Sequence, residues 1–472
     1  MTAIVGAFVL TAGLAAEVTG GRLAAGAAER AFTSVSTDSR TLAPGALFIA
    51  LRGETFDGHA FVADALARGA GGLLVDHAPD AGDLASREGV ATIVVPDTLA
   101  ALQALGHDAR RRSAARVVAI TGSTGKTSTK ELAADALSSR YRVFRNEGNL
   151  NNHIGLPLSL LELRHGPEIA VVELGMNHAG EIRALVGMAE PEVRVWTNVG
   201  DAHVGYFGSR EAIASAKAEI LDDPPVGATL VANADDALVV RHTAGWTGRR
   251  VTFGTTAGAD VRASGIVDRG FEGSESDVAT PAGTVRLRVP LPGRGQLWNA
   301  LAAAAVAVVF DVPLEAVASR IAAARPVGRR GALVTLPGGA RLVDDSYNAS
   351  PTAVEMMLDA LAATPATGRR IAVLGEMLEL GDASRALHAR CGEAAVRAGV
   401  AELVVIGGAD ADGIVEGATS AGLGAGHVHR FGDSAAAADG IAAFVAPGDL
   451  VLVKGSRGTR TDRVADRLKE GA

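Results

Sequence analysis

Residues 117–132 read VVAITGSTGKTSTKEL. The apolar run VVAIT predicts a buried strand, and a helical pattern begins near Lys126 or Thr127. Between them lies a turn with glycine at 122 and 125. Glycine lets a backbone bend so that its N–H groups point inward, and a helix N-terminus adds partial positive charge. A lysine placed like Lys126 reaches outer phosphates, and a hydroxyl placed like that of Thr127 suits Mg²⁺. Gly122, Ser123, Thr124, Gly125, Lys126, Thr127 and Ser128 therefore form a candidate cradle for the phosphates of a nucleotide. The loop is shorter than G-x-x-x-x-G-K-[ST], since Ile120 stands where the first glycine would be. A chance Gly-Lys-Thr turn would share the core letters, but a strand before it and a helix after it favour the phosphate loop.

Outward from this stretch, 472 residues are too many for one core, so two or three domains are expected. Apolar residues are 48% and charged residues 21%, the balance of a globular chain. The net charge of −8 gives no basic footprint for general nucleic-acid binding. One cysteine, Cys391, excludes an intrachain disulfide and a cysteine-based metal site, and it reads as a small buried residue. The N-terminal MTAIVGAFVLTAGLAAEVTGG has no basic residue before its apolar part and is interrupted by Thr11 and Glu17. It reads as a first helix rather than a signal or a membrane span. The cytoplasm is the expected location.

Three blocks follow one another, giving an α/β chain. Residues 1–98 form a small α/β unit around ALFIAL and GGLLVD. Residues 99–325 alternate short apolar runs (VVAIT, AVVELG, VRVWTNV, ATLVAN) with helical patterns, which predicts a parallel sheet covered by helices. Within them, TVRLRVPL alternates apolar and polar residues like a half-exposed antiparallel strand. Residues 326–472 repeat the strand–helix rhythm through RLVDDS, RIAVLGE, ELVVIGG and DLVLVKGS, predicting a Rossmann-like, doubly wound sheet.

The phosphate loop is accompanied, in order, by STDSRTLAPGALFIALRGETFDGHAF, NEGNLNNHIGLPLSLL, VVELGMNHAGEI, GYFGSREAIASAKAEI, PVGRR, LVDDSYNASPTAVEMML, IAVLGEMLELG and VLVKGSRGTR. Together these resemble the Mur ligases, ATP-dependent amide-forming enzymes of peptidoglycan precursor synthesis. The resemblance spans nearly the whole chain. It implies a UDP-sugar-binding domain, a central ATP-binding domain and a C-terminal ligase domain. It also implies chemistry through an acyl phosphate, with Mg²⁺ and small-molecule substrates. The chain is expected to act as a monomer, with no membrane span. DDSYNASP, with Tyr347 and Asn348, resembles the branch that adds D-alanyl-D-alanine to UDP-N-acetylmuramoyl-tripeptide, and the Asn-Pro-Arg signature of the diaminopimelate-adding branch is missing from the sequence.

Glu173 ends AVVELG, and an acidic residue at the C-terminal edge of a parallel sheet beside a phosphate loop suits Mg²⁺. The resemblance gives Glu173 the same role, makes His203 a ligand of a second metal, and gives Lys217 a CO₂ adduct, a carbamate. Taken alone, His203 reads as a loop histidine and Lys217 as a surface lysine. Asn149, Asn151 and Asn152 offer amides for carboxylate, phosphate or metal-bound water, or else form an Asx turn. By resemblance Asn299 contacts adenine, Arg329 phosphate and Asp345 ribose. Ser39, Arg40 and Arg52 lie near the uridine diphosphate, although residues 38 and 39 could simply form a turn. Lys454, with Ser456 and Arg457, could reach the acceptor dipeptide or the tripeptide, or be a polar loop edge. The sequence departs from the family pattern at His153, at Gly295-Gln296 and at Glu376. Rival readings are another amide ligase such as a folylpolyglutamate synthase, a phosphotransferase, and a nucleotide-binding scaffold without turnover.

Overall fold

The computed structural model describes residues 6–53, 56–77, 89–442 and 444–471. Three sheets organise the chain, in the three-domain α/β arrangement expected. The first has the order β1-β5-β4-β3-β2, with β1 Arg22–Ala25, β2 Val35–Ser36, β3 Leu47–Ile49, β4 Gly72–Val75 and β5 Ala91–Val94. The strands from β2 to β5 pair in parallel, and β1 closes the edge antiparallel to β5. Successive side chains of a strand point to opposite faces. Accordingly Leu47 and Ile49 join one buried cluster, while Ala46, Phe48 and Ala50 join another. The expected first helix is Ala12–Thr19, capped by the Thr11 hydroxyl, which accepts from Leu14 N at 3.2 Å.

The central sheet comprises β6 Arg116–Thr121, β7 Val143–Arg145, β8 Ile169–Glu173, β9 Val193–Trp196, β10 Thr229–Asn233, β11 Arg249–Gly254, β12 Val261–Asp268, β13 Ser274–Thr280 and β14 Gly283–Val289. Its order is β14-β13-β12-β11-β10-β9-β6-β8-β7. Pairing is parallel for β7 with β8, β10 with β11 and β11 with β12. It turns antiparallel through β12, β13 and β14. The alternation in TVRLRVPL is visible there, with Leu287 and Val289 buried and Arg286 and Arg288 exposed.

The third sheet contains β15 Ala332–Thr335, β16 Arg341–Asp345, β17 Arg370–Gly375, β18 Glu402–Ile406, β19 Val428–Phe431 and β20 Leu450–Lys454, in the order β15-β16-β20-β17-β18-β19. All but β15 run parallel. Both faces are covered, as an all-parallel core requires. Ala372, Leu374, Leu403 and Val405 face one cluster, and Ile371, Val373, Val404 and Ile406 face the other. Cys391 lies fully buried in the first of these, where desolvation pushes its thiol up to about 12. Two compact units result, one of residues 1–119, 141–194 and 222–228, the other of 120–140, 195–221 and 229–472. Among the described residues, no helix is long and apolar enough to cross a membrane.

Candidate functional site

β6 ends at Thr121, and the helix Lys126–Leu137 begins directly after Gly125. Gly122 has φ +154° and Gly125 φ +80°. A Cβ at Gly122 would fall 1.9 Å from Thr197 Oγ1, and one at Gly125 would fall 2.1 Å from Asn299 Oδ1. Both positions thus need glycine for space, and Gly125 also for its left-handed backbone. The loop is clamped by the two residues that follow β9. Ser123 N donates to Asn198 O at 3.1 Å, Thr124 N to Asn198 Oδ1 at 2.9 Å, and Asn198 Nδ2 to Thr124 O at 3.0 Å. Thr197 Oγ1 donates to Thr124 O at 3.1 Å. Ser123 and Thr124 thereby direct their N–H groups to the protein, and the helix starts directly after Gly125. Lys126 Nζ folds back to Gly122 O at 2.8 Å, and Thr127 is buried. Asn299, on the helix Gly295–Val309, accepts from Thr129 Oγ1 at 3.3 Å and donates to Gln296 Oε1 at 2.9 Å. The departure at Gln296 therefore orients Asn299 beside the loop.

His203 has φ +66°, and its Nδ1 lies 2.7 Å from Glu379 Oε2. Burial depresses the imidazole's pKa, and the charges of Lys126 and Lys217 act in the same direction against Glu379. Lys126 and Lys217 are therefore both within electrostatic reach of His203. Lys217, a surface lysine by local pattern, is only 1% exposed on the helix Arg210–Ala218.

Further along the same unit, Arg329 donates to Asp344 Oδ2 at 3.2 Å and to Asp466 Oδ2 at 2.8 Å, and the bond to Asp466 chiefly raises its pKa. Asp345 and Lys454, expected to serve different ligands, meet each other: Lys454 Nζ donates to Asp345 Oδ2 at 2.5 Å and to Asn348 O at 2.9 Å. Burial raises the Asp345 pKa, and Lys454 opposes that shift. The Tyr347 ring carries the Arg330 guanidinium 4.0 Å from its centroid, with Arg457 at 5.9 Å.

In the other compact unit, Glu173 ends β8 at 3% exposure. Asn151 Nδ2 donates to its Oε1 at 2.6 Å, and Glu173 N donates to Asn146 Oδ1 at 3.1 Å. Asn152 Oδ1 accepts from Ile154 N and Gly155 N at 3.2 and 2.8 Å, holding the turn that leads into the helix Gly155–Leu161. Asn149 and His153 are exposed. Ser39 is buried, whereas Arg40 is exposed and paired with Asp38, whose carboxyl Arg40 holds down at about 2. Arg52 Nε lies 3.0 Å from Asp76 and 3.3 Å from Asp57.

Sequence reasoning passed over Asn146, Thr197, Asn198 and Glu379. Each acts on a partner distant in the chain, and Asn146, in the quoted run NEGNLNN, also donates to the nearby Leu150 O at 3.1 Å.

A glycine cradle at the end of β6, with a buried lysine and a half-buried histidine in the same unit, defines a nucleotide-dependent α/β enzyme. The Mur ligase family, catalytic domain, matches residues 31–110. The Mur ligase middle domain matches 120–307, and the Mur ligase, glutamate ligase domain matches 329–457. The UDP-N-acetylmuramoyl-tripeptide–D-alanyl-D-alanine ligase of Escherichia coli K12 is 38% identical, covering 93% of this chain and 94% of its own. The Bacillus subtilis protein of the same name is 34% identical over 92% and 93%. A crystal structure of MurF from Acinetobacter baumannii superposes with a TM-score of 0.87 at 31% identity, covering 99% of this chain and 100% of that one. MurF from Thermotoga maritima, in complex with ADP, gives 0.78 at 28% over 93% and 97%. The chain belongs to the Mur ligase family.

Proposed function

We propose that this chain joins D-alanyl-D-alanine to the terminal carboxylate of UDP-N-acetylmuramoyl-tripeptide, converting ATP to ADP and phosphate in peptidoglycan precursor synthesis. One observation carries the reading: relatives bearing that activity in their names align with more than nine-tenths of this chain. The reading takes residues 1–98 as the UDP-sugar domain, 99–325 as the ATP domain and 326–472 as the ligase domain. It places a monomeric enzyme in the cytoplasm.

A carboxylate is a poor electrophile, so it must be activated before an amine can attack it. The peptide carboxylate attacks the γ-phosphorus of ATP and ADP leaves, giving an acyl phosphate. The dipeptide amine then adds to the acyl carbon, loses its proton, and the tetrahedral intermediate expels phosphate. Two anions approach in the first step, so the chain must supply positive charge. The helix start at Gly125 and the Lys126 ammonium supply it at the phosphates. Asn299, held over the loop by Thr129 and Gln296, would seat the base.

The hydroxyl of Thr127 and the carboxylate of Glu173 are oxygen donors of the kind Mg²⁺ takes, and the imidazole of His203 would add a nitrogen donor. When bound, the ion would neutralise phosphate oxygens. The buried setting of Lys217 suits a carbamate, because desolvation favours the neutral amine that attacks CO₂ with release of a proton. In the same reading Arg329 contacts phosphate and Asp345 ribose. It also gives Tyr347, Asn348 and Lys454 to the acceptor side, and Ser39, Arg40, Arg52, Asn149, Asn151 and Asn152 to the UDP-linked substrate.

Mass measurement of the product formed from UDP-N-acetylmuramoyl-tripeptide, ATP and D-alanyl-D-alanine tests the reading. It expects the tripeptide mass plus that of the dipeptide less one water. No product with this acceptor, alongside turnover with another amine, would move the chain to a different amide ligase.

A further inference from the structure

Glu379 lies 176 positions from His203, on the loop that follows β17. Its carboxylate is 2.7 Å from His203 Nδ1. An ionised carboxylate only accepts hydrogen bonds, so Nδ1 carries the proton, and in the neutral ring the lone pair then lies on Nε2. The backbones make a second contact, with Gly205 N donating to Glu379 O at 2.9 Å. Close packing makes a third: a Cβ on Gly205 would sit 2.5 Å from Gly381 N. His203 and Glu379 both hold left-handed backbones, at φ +66° and +67°, a conformation unfavourable for a side-chain-bearing residue. The Glu379 loop is itself anchored, through Met377 N to His388 Nε2 at 2.9 Å and Leu378 N to Ser456 Oγ at 3.0 Å. A rotatable ring is thus held by a carboxylate on a fixed loop.

We propose that Glu379 is a positioning residue, which locks His203 in the Nδ1–H tautomer so that Nε2 is presented to the metal bound with the nucleotide. Metal-binding histidines characteristically give their other N–H to such a carboxylate, and loss of that partner costs 10–100-fold in metal affinity. The inference rests on the reading of His203 as a metal-holding side chain.

The test uses the full chain with ADP and Mn²⁺ as the probe. Electron paramagnetic resonance reads Mn²⁺ affinity, and ¹⁵N-histidine NMR reads the His203 tautomer, its signal assigned by loss in His203→Asn. Glu379→Ala is expected to weaken Mn²⁺ by about tenfold or more and to shift His203 toward the Nε2–H or a mixed tautomer. Glu379→Gln, nearly isosteric and able to accept through Oε1, is expected to keep the tautomer and lose less affinity. Circular dichroism of both variants checks folding. Unchanged tautomer and affinity within twofold in both variants would overturn the proposal. If His203→Asn leaves Mn²⁺ affinity unchanged, the metal reading of His203 falls and takes the proposal with it, while product formation still judges the ligase reading separately.

Discussion

Asn151 Nδ2 donates to Glu173 Oε1 at 2.6 Å, tying the asparagine-rich loop to the buried acid at the end of β8. The same loop passes close by, since a Cβ on Gly175 would lie 2.9 Å from the Asn151 amide. A hydrogen bond to a charged group contributes about 1.5–3 kcal/mol. Asn151→Ala is therefore expected to lower kcat/KM by roughly 10–100-fold. It should also raise the Mg²⁺ concentration needed for half-maximal ADP release. Titrating Mg²⁺ against ADP release in both proteins checks this, and identical curves would remove Glu173 from the metal role.

Gly125→Ala tests the phosphate cradle. The added methyl would meet Asn299 Oδ1 in a backbone at φ +80°. The left-handed conformation alone costs about 1–2 kcal/mol, and the collision displaces Asn299 as well. Affinity for a fluorescent ADP analogue should fall more than tenfold, with the melting temperature lowered by a few degrees. An alanine variant that binds as tightly as the parent would show that the turn does not hold phosphates.

The fold was legible where chemistry and period coincide within a short window. A strand, a glycine turn and Gly-Lys-Thr gave the loop beside β6. Four apolar runs gave the parallel core of the third sheet, and period-two alternation gave β14. The supports of the site were not legible, because they join residues that local pattern cannot relate. Asn198 clamps Thr124 from 74 positions away, and Glu379 reaches His203 across 176. Lys217 illustrates the same limit: helical spacing does not reveal that neighbouring elements cover its face. Asp345 and Lys454 end adjacent strands, β16 and β20, so their pairing follows from sheet order, which the sequence leaves open.

Asp201 anchors a network that should register as stability. Its Oδ2 accepts from Arg390 Nη2 at 2.7 Å and from Thr352 Oγ1 at 3.0 Å, while Arg390 Nε also reaches Glu355 at 2.6 Å. Asp201 is buried, so removing Arg390 leaves its carboxylate short of a donor at a cost of about 1–3 kcal/mol. Urea unfolding of Arg390→Ala should show a lower midpoint. In Arg390→Ala/Asp201→Asn much of that loss should be recovered, because the carboxylate left short of a donor is gone. Strict additivity of the two single variants would argue against direct coupling.

Acid stability offers a separate check through Asp235. Burial raises its pKa, but hydrogen bonds from the Thr256 hydroxyl, Thr255 N and Trp298 Nε1 outweigh that and hold it at about 2. A carboxyl depressed on folding stabilises the fold above its unfolded pKa of 3.8, and that contribution fades as pH falls toward 2. Asp235→Asn should therefore be less stable than the parent at pH 6, with the gap narrowing between about pH 4 and pH 2. Chemical unfolding at stepped pH reads this, and a gap that does not change with pH would contradict it.

The central claim is that the peptide's own carboxylate takes the γ-phosphate before the amine arrives. The direct measurement places oxygen-18 in the terminal carboxylate of UDP-N-acetylmuramoyl-tripeptide and follows it during turnover with ATP and D-alanyl-D-alanine. One labelled oxygen should appear in each orthophosphate released. Amide product accompanied by wholly unlabelled phosphate would contradict activation through an acyl phosphate.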